Sequence, residues 1–147
     1  MLERLERIGP YTLLFMRVVI GVVFIAHGLQ KVLGEGLGAV ATGFTHLGIP
    51  LPSLAAPVVA FSEVLGGAAL ILGAGLPVVG VILALDMIGA YFFVHAGKGF
   101  FSQQGGFEYV LVLFAVCLAI GFSGGGALAL DRLWRRDRSL TAVGAAH

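Results

Sequence analysis

Residues 11–29 read YTLLFMRVVIGVVFIAHGL, a run whose one full charge is Arg17 and whose far end carries His27. Wound as an α-helix at about 1.5 Å per residue, it is close to the roughly 30 Å hydrocarbon core of a bilayer. Three further stretches have the same character, at about 54–73, 76–96 and 107–122. Backbone polar groups cannot go unpaired in lipid, so each stretch is a helix or part of a closed barrel. Barrel strands are shorter and alternate polar with apolar residues. These runs do not alternate, so the sequence predicts an all-α, integral membrane four-helix bundle, with 1–147 as a single transmembrane domain.

Composition leads the same way. The chain is 59% hydrophobic and 12% charged, with mean hydropathy +1.01, against about 45–50% and about 25% in soluble domains. A soluble fold of 147 residues has too little interior to hide that apolar surface. The net charge of +1 offers nucleic acid no general attraction, and the lone Cys117 excludes an internal disulfide or dithiol. Met1 to Pro10 is charged, with Glu3, Arg4, Glu6 and Arg7. The apolar run after it is too long for a cleavable signal and reads as the first span.

The links differ. Gly73-Ala74-Gly75-Leu76-Pro77 reads as a tight turn, which makes the second and third spans a hairpin. The link 34–53 is long enough for a re-entrant or interfacial piece, and 97–106 holds Lys98, Gln103 and Gln104. Arg4 and Arg7 precede the first span, and Arg132, Arg135, Arg136 and Arg138 follow the last. Basic residues favour the cytoplasmic side, so both termini are expected there, in a multi-pass protein of the bacterial cytoplasmic (inner) membrane.

Ionisable residues inside such spans are costly and are normally paired or functional. Arg17, Asp86 and Glu63 lie at estimated heights of roughly 10, 13 and 16 Å above the inner boundary, counted by helix rise. They are therefore expected to form a buried ion pair, Arg17 with Asp86 or Glu63. His27, Lys31, His95 and Glu108 fall toward the outer side, with His27 and Lys31 on one helix face. With Glu63 they are expected to line a ligand-binding pocket, covered by the link from Phe44 to Pro52. The plain alternative is that each histidine merely packs or faces the interface. Ile20-Gly21-x-x-Phe24-x-x-His27 also recurs as Ile88-Gly89-x-x-Phe92-x-x-His95, as a parallel two-helix repeat would. No CxxC, HExxH, phosphate loop or nucleophile elbow is present; no metal site and no catalytic residue is assigned.

These residues together resemble the DoxX family of small four-helix bacterial membrane proteins. The resemblance rests on Arg17, Gly21, Phe24, His27-Gly28 and Lys31, then Gly48-Ile49-Pro50 and Pro52. It continues through Glu63-x-x-Gly66-Gly67, Leu70-x-x-Gly73, Glu108 and the glycine run before Leu130-Asp131. It covers about residues 11–131. It implies a membrane bundle, in some relatives the membrane subunit of a thiosulfate:quinone oxidoreductase and in others a companion of redox or oxidative-stress proteins. Where the family often has proline before the final aspartate, this chain has Gly124-Gly125-Gly126.

The leading functional expectation is a small membrane subunit or partner of an oxidoreductase system, with a quinone-sized pocket in its outer half. Its partners would be the lipid bilayer and a redox enzyme or further copies of itself. A haem held by His27 and His95 is the weaker cofactor reading. Two competitors stand beside it: a structural or assembly protein without chemistry, and a small transporter or proton path on Glu63, Asp86 and Arg17.

Overall fold

A computed structural model describes residues 2–132, with side chains from residue 8 onward; the side chains of Arg4 and Arg7, and all of Arg135, Arg136 and Arg138, lie outside it. Five α-helices follow one another, with no strand among the described residues: α1 (Leu2–Leu29), α2 (Leu37–His46), α3 (Pro52–Leu72), α4 (Leu76–Ala90) and α5 (Glu108–Phe122). Helices α1 and α4 each run on into a π-helical turn, Gln30–Glu35 and Tyr91–His95. Three helices are long and apolar enough to cross a membrane: Ile8–Glu35, Pro52–Leu72 and Leu76–His95. The fourth apolar helix, α5, has 15 residues. That is about 22 Å of rise, short of the hydrocarbon thickness.

Glycine decides which helices touch. Gly21 of α1 and Gly67 of α3 face each other so closely that a Cβ on Gly67 would lie 2.5 Å from the Gly21 carbonyl oxygen. Gly28 crosses Ala60 in the same way, and α1 and α3 form the most extensive helix pair. Gly80 of α4 sits against the Cys117 carbonyl and Gly121 of α5, closing the second pair. Small residues at such crossings are what helices need where no hydrophobic effect drives them together. Between the pairs lies a core of Phe24, Leu70, Leu76, Leu83, Leu113, Cys117 and Ile120.

The expected tight turn is present. Gly73 and Gly75 hold φ of 71° and 62°, the left-handed region, on either side of Ala74. The long link 34–53 contains α2, which packs on α3. The sequence repeat, by contrast, is not a packing repeat. Phe24 is 1% exposed and Phe92 65%; Gly21 is at a helix crossing and Gly89 faces open space. Matched residue types on α1 and α4 thus meet unlike neighbours, because α1 packs tightly on α3 whereas the Gly89 face of α4 borders a cavity.

Candidate functional site

Polar groups collect at the two ends of the bundle. At the end marked by the glycine turn, Arg17 is 1% exposed. Its Nε donates to the Leu70 carbonyl and its NH2 to the Ile71 carbonyl, each at 2.9 Å. Its NH1 donates to the carbonyls of Gly125 and Ala127. Leu70 and Ile71 belong to the last turn of α3, where the intrahelical donors run out; the Leu70 carbonyl also accepts from the Gly73 cap N–H at 3.2 Å. The expected ion pair of Arg17 with Asp86 or Glu63 is therefore corrected. Arg17 lies level with Leu70, seven residues and so about 10 Å along α3 from Glu63. The height estimate failed because it set Tyr11 level with the inner ends of the other spans, whereas helix docking places Arg17 level with Leu70 in the last turn of α3. Carbonyl oxygens at a helix C-terminus carry partial negative charge and can satisfy a guanidinium without a carboxylate.

Asp131 completes this end. Its carboxylate accepts from the Gly75 and Leu76 backbone N–H groups at 2.7 and 2.9 Å, capping α4. The Ala127 N–H donates to the Pro10 carbonyl at 2.8 Å and the Asp131 N–H to the Gly73 carbonyl at 3.0 Å. The glycine run is thereby stitched to α1 and to the α3–α4 turn.

At the opposite end, where α1 and α4 finish, a cavity of about 510 Å³ lies among α1, α3, α4 and α5, with Phe44 and Ile49 of the α2 region closing one side. His27, Lys31, Glu63 and His95 line it, together with Asp86 and Tyr109. Lys31 Nζ meets Glu63 Oε2 at 2.5 Å, with side-chain exposures of 21% and 6%. The π-helical turn that begins at Gln30 carries Lys31; such local rewinding is frequent at functional positions. Asp86 belongs here and not with Arg17. Ser62 Oγ lies 3.3 Å from Asp86 Oδ2 and 2.8 Å from the Val59 carbonyl, and its one proton serves one of them at a time. His95 Nδ1 is 2.7 Å from the Gly105 carbonyl. A carbonyl only accepts, so Nδ1 carries the proton and Nε2 of the neutral ring is left as an acceptor. The rings of His27 and Tyr109 stand 6.3 Å apart.

Glu108 is not part of this cavity. Its Oε1 accepts from the Ser102 N–H at 2.8 Å and the Ser102 hydroxyl at 2.6 Å, pinning the loop between α4 and α5. One residue onward, a rotation of about 100° on the helix brings Tyr109 to the cavity instead. Sequence reasoning passed over Tyr109, although Leu113, four residues further and on the same face, also lines the space. Arranged this way, the cavity offers a cation beside a carboxylate, a second carboxylate, two imidazoles and a phenol, in walls otherwise apolar. It can hold a ligand with a few polar atoms and a largely apolar body.

The family model described as DoxX matches residues 12–96, more than half of the chain. The chain belongs to the DoxX family. An uncharacterized protein of Haemophilus influenzae is 38% identical over 133 residues, covering 88% of this chain and 96% of its own length. A Bacillus subtilis protein that bears the name "Putative oxidoreductase CatD" is 37% identical over 118 residues, covering 80% and 83%. An uncharacterized membrane protein of Mycobacterium tuberculosis is 28% identical over 152 aligned positions, covering 93% and 88%. No solved structure matches the chain. The stretch matched to DoxX runs from α1 through the π-helical turn of α4, and so supplies Arg17, His27, Lys31, Glu63, Asp86 and His95. Tyr109 comes from α5, beyond that stretch. As a DoxX protein with three helices of membrane-crossing length, the chain is a membrane protein.

Proposed function

We propose that this protein is a ligand-binding membrane subunit or partner of an oxidoreductase system, and that the cavity bearing Lys31 and Glu63 takes a quinone-sized molecule. The observation that carries this reading is the volume of about 510 Å³ shared by His27, Lys31, Glu63, Asp86, His95 and Tyr109. Sites for small organic ligands commonly measure about 300–1,000 Å³, with mostly apolar walls and few polar groups. Lys31, His27 and Tyr109 supply donors for carbonyl oxygens, and Glu63 and Asp86 can exchange protons with a bound quinone–quinol couple. The oxidoreductase name of the Bacillus relative accords with such a role. In this reading the chain is one domain spanning the inner membrane four times with both termini cytoplasmic; α5 crosses with help from the flanking loop and a locally thinner bilayer. The cavity then opens toward the outer leaflet.

The test is purification in mild detergent followed by lipid extraction and mass spectrometry of bound quinones, for the natural chain and for His27→Ala. Quinone retained by the first and lost by the second, at unchanged thermal stability, is the expected result. No quinone in either refutes the ligand. Cysteine labelling at Glu35 and Gln103 from the outer side checks the topology separately.

One observation favours a second reading. Asp86 and Glu63 share the cavity with Lys31 and Ser62, an arrangement that would also suit a proton path. Proton flux in liposomes without any quinone present would select that alternative.

A further inference from the structure

Helices α4 and α5 are closed at one end and parted at the other. Toward the glycine turn, Gly80 brings the backbones together against Cys117 and Gly121. Toward the cavity end, large side chains take over: Tyr91 meets Phe107 edge to face at 5.3 Å. Between the two helices here lies a second space of about 260 Å³, lined by aliphatic and aromatic residues, with Tyr91 its one hydroxyl-bearing wall. Phe92 and Leu111, on its rim, are 65% and 47% exposed, so it opens on the outer surface of the bundle. Met87 and Val110 line this groove and also line the polar cavity behind it.

We infer that groove and cavity are two parts of one site: the cavity takes the polar head of an amphiphile, and the groove between α4 and α5 takes its apolar chain. This inference rests on the ligand reading of the cavity proposed above, and adds the form of the ligand and its route. Met87 and Val110 line both spaces, and both are 7% exposed. Methionine is unbranched and adaptable, so a change of rotamer at Met87 can join them without moving the helices. The π-helical turn begins four residues beyond Met87, at Tyr91, where the regular winding of α4 ends. The groove has no charged lining residue, while the cavity holds Lys31, Glu63 and Asp86. A head with carbonyl or hydroxyl groups on a single alkyl or isoprenoid chain meets both environments; a wholly polar solute leaves the groove empty. Such a ligand enters sideways from the membrane, between α4 and α5.

The experiment uses the full chain in lipid nanodiscs and a benzoquinone whose decyl chain ends in a diazirine. After irradiation, labelled peptides are mapped with and without excess unlabelled decyl-benzoquinone. The expected result is labelling at Ile88, Phe92 or Leu111 that the competitor removes. Lys31→Met, acting on the head, and Leu111→Trp, filling the groove, should each lower it about tenfold, the effect of roughly 1.4 kcal/mol of binding energy. Labelling of the groove that the competitor leaves untouched means ambient lipid chains occupy it, and overturns the inference. Competed labelling confined to the lipid face of α1 and α3 also overturns it, while sparing the ligand reading of the cavity. If nothing is competed anywhere, the ligand reading falls and takes this inference with it.

Discussion

The two ends of the bundle hold similar charges and use them differently. At the glycine-turn end, Arg17 and Asp131 spend their hydrogen-bonding capacity on backbone groups of α3, α4 and the glycine run. At the cavity end, Lys31 and Glu63 bond to each other beside open volume, and among the described residues Asp86 has only a shared hydroxyl. A buried charge with every bond directed at the backbone fixes a fold. A charge facing a cavity keeps capacity for a visitor. Intramembrane charge alone therefore does not mark a binding site; charge next to unfilled space does.

The largest effect that could break this comparison is at Arg17. Arg17→Met removes the guanidinium bonds to the Leu70 and Ile71 carbonyls and frees the glycine run, and should cost on the order of 4 kcal/mol, from a few charge-assisted bonds at about 1.5–3 kcal/mol each. Unfolding of the variant in detergent, followed by circular dichroism, measures it. Arg17→Lys should recover only part, because an ammonium lacks the guanidinium fork. Full stability in Arg17→Met would remove the structural role given to this end.

Next comes the helix crossing between the two ends. Gly67→Ala drives a methyl into the Gly21 carbonyl and should cost about 1–3 kcal/mol, as overpacking does. Gly89→Ala, at the matching place in the repeat of α4 to Gly21 in α1, meets nothing within 4 Å. It should be neutral or gain up to about 1 kcal/mol from helix propensity. Equal losses at both positions would restore the symmetric repeat that the burial pattern denies.

The ion pair sharpens the contrast further. Lys31→Met leaves the Glu63 carboxylate buried without its partner, and an expected loss of about 2 kcal/mol should be largely recovered in Lys31→Met with Glu63→Leu. A double-mutant cycle on thermal stability reads the coupling; additive losses would mean that the 2.5 Å contact contributes nothing. The smallest effect is assigned to Glu108. Glu108→Gln weakens the two solvent-exposed bonds to Ser102 and should leave thermal stability nearly unchanged, because water replaces what is lost. Ligand retention should be unchanged, and a loss of retention would return Glu108 to the site.

Three helices of membrane-crossing length and the glycine turn were legible in the residues, because both follow from local chemistry: continuous apolar runs demand lipid, and glycines at 73 and 75 permit left-handed backbone. So was the gathering of His27, Lys31, Glu63 and His95, since helix direction alone sends their ends of the chain to one side. The pairing of Arg17 was not legible. Its partners are carbonyls, which every residue has and no side chain advertises. Tyr109, given no role in advance, lines the cavity where Glu108 was expected, one step away along α5, and a rotation of about 100° per residue cannot be anchored until the helix is docked. Sequence by itself determined the membrane setting, the order of helices and the end at which the titratable groups collect. Tertiary structure alone decided which charges meet, which of them face empty space, and that a groove shares Met87 and Val110 with the cavity, because close approach between helices depends on glycine contacts made across the bundle.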